Sequence, residues 1–370
     1  MNILFICNEY PPFVTGGIGV FTKSLAEFLV KKGHNVYVFG LYDENKFEVI
    51  NGVKIIRKKK SEAKVGNFLL SRVTTYFEVK KIIEKHRIDL IEVQDFHGLI
   101  AFFPKLKCKV VTRLHGSVSY FNSILGNEGV KNKIWRILEK KSIICSDKVV
   151  SCSEYTANKT KEIFNINIDI EVIYNGVKSN EGNQAKIIDN KKKKFLFFGS
   201  LIGKKGIYEL VRGWSEFSHE KDVKLDIYGK DTEGAIKNLS PLAVQNSTIE
   251  FHSPIPNHQL QQVIIESDFC IFPTKAEAFS LAPMEAMSKA KVVLYNDQTS
   301  ANELIIDGFN GLLIRGCNEL EINVALNRAY QLSMDERNRI SENATSTIRE
   351  KFNVDDKNNQ SLQMYLDLIS

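Results

Sequence analysis

The 370-residue chain has six cysteines but no Cys-x-x-Cys pair, so it lacks the spacing on which structural zinc sites and dithiol redox sites depend. Cys7, Cys108, Cys145, Cys152, Cys270 and Cys317 lie mostly in apolar stretches and are expected to be reduced core residues. No apolar run reaches the roughly 18–20 residues that cross a bilayer. The N-terminus runs into the strand-like Ile3-Leu4-Phe5-Ile6-Cys7 without the charge pattern of a signal peptide, and a cytoplasmic protein is expected. There is no internal repeat of solenoid period. No Asp-x-Asp stands at a strand end, and Asp355-Asp356 lies too far along the chain to replace one, so no metal is expected. Disorder is excluded by composition, with 43% apolar and 25% charged residues. The length predicts two domains of ordinary size.

The charge that is present is unevenly placed. Residues 1–187 hold 29 Lys+Arg against 19 Asp+Glu, leaving 21 against 25 for the rest, within a total of +6. The basic clusters are Arg57-Lys58-Lys59-Lys60, Lys80 to Arg87, and Lys131, Lys133, Arg136, Lys140 and Lys141. Such a face is either a solvated surface or one drawn to anionic headgroups or a pyrophosphate-bearing acceptor. The basic runs lack interleaved aromatics and no nucleic-acid module is present, which argues against nucleic acid as a partner.

Short apolar runs alternate with helix-period segments from end to end, the pattern of an α/β chain with parallel sheets. Strands are predicted at 2–7, 35–40, 53–57, 89–93, 109–114, 147–151 and 170–174, then at 194–199, 223–229, 248–251, 268–272 and 292–295. A helix is predicted over 19–32, where Phe21, Leu25, Phe28 and Leu29 share one face, and helical patterns cover 319–352 and 355–370. The polar stretch 178–194 has linker composition. These readings give an N-terminal domain at 1–180, a linker at 181–193, a C-terminal domain at 194–352, and a last helix at 353–370 expected to pack back on the first domain.

Three segments carry chemistry. The turn Asn8 to Gly19, with Gly16 and Gly17, follows the first strand and opens into a helix, which suits either close approach of an anion or tight packing. Its spacing is not G-x-G-x-x-G, and no acidic residue ends the second strand, so a dinucleotide site is poorly supported. Gly199 to Gly206 delivers Ser200, Lys204 and Lys205 from a strand to a helix start, a plausible diphosphate cradle. In Glu277-Ala278-Phe279-Ser280-Leu281-Ala282-Pro283-Met284-Glu285, Ser280 suits an N-cap and Pro283 the first turn, so a helix is predicted from about Leu281. Glu277 then lies in the loop. Glu285 lies in the helix, either within reach of a polyol such as ribose or merely complementing the helix dipole.

Together with Thr112-Arg113-Leu114-His115-Gly116, Val149 to Ser153 and Val172 to Val177, these segments resemble the nucleotide-sugar-dependent retaining glycosyltransferases of family four, also called group 1, over nearly the whole chain. The resemblance implies the GT-B fold, two Rossmann-like domains with parallel sheets facing across a cleft. It implies a hexosyltransferase of bacterial surface polysaccharide synthesis that is peripheral to the membrane and uses a UDP-sugar first among nucleotide sugars, with no cofactor. Glu285 would bind the donor ribose. Glu277 with the amides of Phe279, Ser280 and Leu281 would hold the donor sugar and phosphates, and Lys205 would neutralise the leaving diphosphate. Gly17 would approach the phosphates and His115 the transferred sugar, with Gly16, Gly199 and Lys204 completing the donor set. The family commonly has arginine where Ser200 stands, so either Lys204 compensates or the donor is held differently, and it frequently has glycines where Ala278 and Ser280 stand, so a narrower backbone approach to the sugar is expected. The acceptor is a saccharide or lipid-linked hydroxyl. A nucleotide-sugar 2-epimerase, a sugar phosphorylase or a catalytically degenerate sugar-nucleotide binder shares the architecture.

Overall fold

Two sheets take up the apolar runs of the chain. The computed structural model describes residues 1–12, 16–60, 67–127, 129–179, 192–218 and 222–370. The first sheet comprises β1 (Asn2–Ile6), β2 (Asn35–Tyr42), β3 (Lys46–Ile50), β4 (Val53–Lys59), β5 (Leu90–Gln94), β6 (Lys109–Leu114), β7 (Lys148–Ser151) and β8 (Glu171–Val172), in the order β3-β4-β2-β1-β5-β6-β7-β8. The second comprises β9 (Lys193–Phe198), β10 (Val223–Tyr228), β11 (Ile249–His252), β12 (Phe269–Phe272), β13 (Val292–Asn296) and β14 (Leu312–Ile314), in the order β11-β10-β9-β12-β13-β14. Strands covered on both faces read as continuous apolar runs: Ile3, Leu4 and Phe5 are fully buried, as are Phe269, Cys270 and Ile271.

Pairing is parallel throughout except for β3, which pairs antiparallel with β4 at the sheet edge and corrects the expectation of a purely parallel first sheet. The Asn51-Gly52 turn between them has positive φ at both residues, the geometry of a two-residue hairpin. The predicted helix over 319–352 is two helices, Glu319–Gln331 and Met334–Lys351. Ser333 starts the second one, accepting the N–H of Glu336 while the Glu336 carboxylate accepts the N–H of Ser333. Residues 181–191 of the predicted linker lie outside the described residues, and Lys193 already belongs to β9.

The chain divides into two compact units, Met1–Asn175 with Asp355–Ser370, and Gly176–Val354. Helix Gly17–Lys31 covers the first sheet with Leu25 and Leu29. The closing helix Val354–Ile369 adds Met364 and Tyr365 to the same core. In the second unit Trp214, Phe217 and Phe269 pack around Phe195, with ring centroids 4.6–5.7 Å apart. Among the parallel strands of each sheet the order reverses at one place, between β1 and β5 in the first and between β9 and β12 in the second. The carboxyl ends of strands at such a switch point form the ligand crevice of open α/β sheets. The turn with Gly16 and Gly17 follows β1, and the loops with Lys205 and Glu277 follow β9 and β12.

Candidate active site

In the second unit, the two loops at the switch point are fastened to each other. The Lys275 N–H donates to the Lys204 carbonyl at 2.8 Å, and Lys205 Nζ pairs with a Glu277 carboxylate oxygen. Gly206, at φ +73°, leaves no room for a side chain: a Cβ would stand 2.0 Å from the Pro273 carbonyl oxygen. That close approach and the left-handed backbone both require glycine. Lys204 and Lys205 close a short 3-10 turn, Gly203–Lys205, with the Gly203 N–H on Glu233 at 2.8 Å. Gly199 and Ser200 are exposed where β9 ends.

Helix Leu281–Ser288 begins where predicted, with Ser280 at the N-cap position, but the Ser280 side chain makes no capping bond, which corrects that part of the expectation. The first turn also holds no acidic residue. A helix start without either is open to an anion. The Phe279 ring is buried, 5.6 Å from the Phe352 ring.

The two glutamates, eight positions apart, are driven in opposite directions. Burial would raise Glu277, but the charge and hydrogen bond of Lys205, with help from Lys204, hold its carboxyl below the ordinary value. Glu285 is raised to about 7 by burial, offset only in part by Lys289. No described residue donates a hydrogen bond to the Glu285 carboxyl. Opposed environments for paired carboxyls are the mark of divided roles. Glu277 is a fixed anion that positions Lys205, and Glu285 is an acceptor awaiting donors.

In the first unit, helix Gly17–Lys31 starts from Gly16. A Cβ at Gly16 would meet the Glu9 carboxylate at 2.2 Å, and one at Gly19 would meet the Glu9 carbonyl at 2.0 Å. Packing against backbone therefore explains Gly19, whereas at Gly16 the neighbour is the movable end of a side chain. At Gly17 a Cβ would meet nothing within 4 Å, and its φ is not positive. No described residue demands glycine there, and the open space is what an approaching ligand would use.

His115 follows β6 and is held by its backbone N–H on Asp95 at 3.0 Å. Its ring meets Phe21 edge-on at 4.9 Å, and its Nε2 is buried without a hydrogen-bond partner. Burial and the charge of Arg113 lower its pKa to about 3, so the ring is neutral and hydrogen-bonding rather than acidic. Behind it Arg113 is buried against Glu92 with bonds of 2.8 and 3.0 Å, while Tyr365 donates to the same carboxylate and Ser361 stands 3.3 Å from the guanidinium.

Sequence reasoning missed Asp95. Burial raises it to about 7, and it closes the turn that carries His115. The available signal was an acidic residue just beyond β5, in Gln94-Asp95-Phe96-His97. One group among the described residues has the geometry to hold a metal, Asp226, Glu250 and His252. Lys224 Nζ already lies 2.9 Å from Asp226 and 2.7 Å from Glu250, so a protein cation serves both carboxylates. Cys145 is exposed, which corrects its expected place in the core. It caps helix Val130–Ile144 beyond the buried Ile143.

Residues 15–181 match the domain described as Glycosyltransferase Family 4, and residues 179–347 that described as Glycosyl transferases group 1. An uncharacterized glycosyltransferase of Methanocaldococcus jannaschii is 26% identical, over 99% of this chain and 98% of its own. Among solved structures, sucrose-phosphate synthase from Thermosynechococcus elongatus superposes with a TM-score of 0.85 at 16% identity, over 99% of this chain and 98% of that one. Anabaena HepE in complex with UDP and glucose superposes at 0.77 and 16% identity, over 99% and 100%. These likenesses identify the fold as GT-B.

Proposed function

The chain belongs to the group 1 glycosyltransferases, and from that premise we propose that it moves a hexosyl unit from a nucleotide diphosphate sugar to a hydroxyl of a saccharide or lipid-linked acceptor. The observation that carries this reading is the fastening of the Lys205 loop to the Glu277 loop, beside a helix start with no side-chain cap and a carboxyl without donors at Glu285. A cation, open amides and a carboxylate acceptor are what a diphosphate and a ribose diol need. HepE, crystallised with UDP, makes a uridine nucleotide the first donor to test.

Lys204, Lys205 and the start of helix Leu281–Ser288 offset the charge of the departing diphosphate, and no divalent cation takes part. Gly199 and Ser200 lie along the phosphates, and Glu285 takes the ribose hydroxyls. In the first unit Gly16 and Gly17 serve the phosphates and His115 the transferred sugar. The acceptor hydroxyl forms its bond to the anomeric carbon on the face from which the diphosphate leaves. The C–O bond to the diphosphate breaks with its electron pair, a diphosphate oxygen takes the hydroxyl proton, and the configuration is retained. The enzyme acts in the cytoplasm in polysaccharide assembly, at the inner face of the membrane when the acceptor is lipid-linked.

A screen of nucleotide sugars for donor hydrolysis, followed by NMR of the product linkage, tests this. UDP-sugars should turn over fastest, without added cofactor, in chelator-treated enzyme, and the new linkage should keep the donor's configuration. Loss of turnover to chelator with rescue by magnesium, or an inverted linkage, would remove the metal-independent front-face route. Interconversion of the donor sugar without any acceptor would instead identify an epimerase.

A further inference from the structure

Helix Val118–Ile124 follows the turn that carries His115, with Ser117 as its N-cap accepting the N–H of Tyr120 at 3.1 Å. It is fastened to helix Val130–Ile144, whose buried Glu139 accepts the N–H groups of Val118 and Ser119 at 2.9 and 3.0 Å. Side chains three and four positions apart share a helix face. Ser119, Asn122 and Ser123 do so on the first helix, and Asn132, Lys133 and Arg136 on the second, and these six line one cavity of about 350 Å³. Pockets that hold small ligands run from about 300 to 1,000 Å³, so the space suits a single sugar unit.

All six side chains are polar, and the two charged ones are cations. Asn122 Nδ2 donates to Asn132 Oδ1 at 2.8 Å and ties the walls together. Arg136 is held by its Nε on the Ile163 carbonyl at 2.8 Å. Lys133 has no acidic partner among the described residues, whereas Lys148 and Lys159 of the same unit have theirs. Gly129 and Val130, the start of helix Val130–Ile144, also line the cavity. That start has no side-chain cap and no acidic residue in its first turn, so its leading amides are open to an anion. A helix start alone specifies no ligand, but Ser119 adds a second demand. It is 5% exposed, and its Oγ is buried with no hydrogen-bond partner among the described residues. A buried hydroxyl without a partner carries a desolvation cost, which an oxygen entering the cavity would relieve.

We infer that this cavity is a binding site for a sugar unit that bears one anionic group, a carboxylate or a phosphate, with the anion at the start of helix Val130–Ile144 beside Lys133 and the sugar hydroxyls on Ser119 and Asn122. A neutral sugar would leave the helix start and both cations unanswered. A bare anion would leave the serine and asparagine groups unanswered, and these are the side chains that both donate to and accept from hydroxyls. None of the lining residues belongs to the set assigned to the donor or to His115. The inference therefore deepens the saccharide-acceptor reading by making that saccharide acidic, and it rests on that reading for the purpose of the site, not for its test.

Calorimetric titration of the full-length protein, with UDP present at saturation, decides it. The probes are methyl glucuronide, glucose 6-phosphate, methyl glucoside and inorganic phosphate. At least one of the two sugar anions should bind tighter than both methyl glucoside and inorganic phosphate by about tenfold or more, the scale of one hydrogen bond to a charged group. Ser119→Ala should weaken that binding by about tenfold and yet melt at or above wild type, because it removes a buried hydroxyl that has no described partner. Lys133→Gln, at an exposed position, should weaken it similarly with an unchanged melt, and it carries the test if Ser119→Ala fails to fold. Methyl glucoside or inorganic phosphate binding as tightly as the sugar anions would overturn the inference. So would sugar-anion binding that neither variant weakens, or binding seen only when UDP is left out, which would assign it to the diphosphate loops of the second unit. The titrations need no turnover. Binding without transfer would count against the proposed reaction and leave the site standing, and transfer without binding would do the reverse.

Discussion

Glu285 is a carboxyl kept half-buried with no described donor, and its raised pKa is the signature of that cost. A group whose folded-state pKa lies above its unfolded value contributes stability that is present below the unfolded pKa and lost as pH rises through the folded one. The unliganded protein should accordingly lose stability as pH rises from the ordinary carboxylate range through about 7. Glu285→Gln removes the charge, so its melting temperature at pH 8 should exceed wild type by about 2–4 °C, the shift each kcal/mol brings in a domain of this size. Near pH 4 the two should coincide, and at every pH the variant should bind donor more weakly in calorimetry. His115 behaves oppositely. Its ring is neutral across the working range, so it cannot be the source of a pH limb near neutrality. His115→Asn should lower kcat by about 10²-fold, the scale of losing one aligned hydrogen-bonding group at the reacting centre, while any limb near pH 7 persists. Disappearance of that limb in the variant would show that the imidazole titrates after all.

At the scale of elements, the glycines of the two switch-point turns divide by cause. Gly206→Ala meets both a left-handed backbone and the Pro273 carbonyl, so it should lower the melting temperature by at least 2–4 °C, about a kcal/mol or more, and loosen the Lys205–Glu277 fastening. Gly17→Ala meets open space. It should melt with wild type and still lose turnover by about tenfold or more through the ligand's side alone, which a thermal melt paired with steady-state kinetics resolves. What could be read in advance also divides at this scale. The strands of both sheets were legible because burial on two faces makes them continuous apolar runs. β3 was missed although Asn51-Gly52 announces a hairpin, because Lys46 to Ile50 is short and half polar. The break at Ser333 was missed because apolar periodicity continues across it, and only the Ser333–Glu336 capping box marks it. Glu277 and Lys205 were each picked out by local pattern. Their ion pair joins positions 72 apart, and no local pattern encodes that.

At the scale of the whole chain, the path closes on itself: Asp355–Ser370 returns to the unit built by Met1–Asn175. There Tyr365 and Ser361 complete the partners of the buried Glu92–Arg113 pair. Removing part of a buried ionic network exposes the rest to an uncompensated desolvation cost of about 3–5 kcal/mol. A chain ending at Val354 should therefore lose its first unit to limited proteolysis while a fragment near Gly176–Val354 survives, and equal resistance of both units would show that the last helix is dispensable. The pairing of Glu92 with Arg113 and Tyr365 was illegible in sequence because its members stand up to 273 positions apart.

Of the six cysteines, Cys145 alone is exposed, with Cys108 and Cys317 half-buried, and it directly follows Ile144 at the end of helix Val130–Ile144. The natural chain thus carries its most readily reached thiol in the first unit, outside the residues proposed for sugar transfer. A polarity-sensitive dye attached there would report what covers that helix end as a colour change readable in real time.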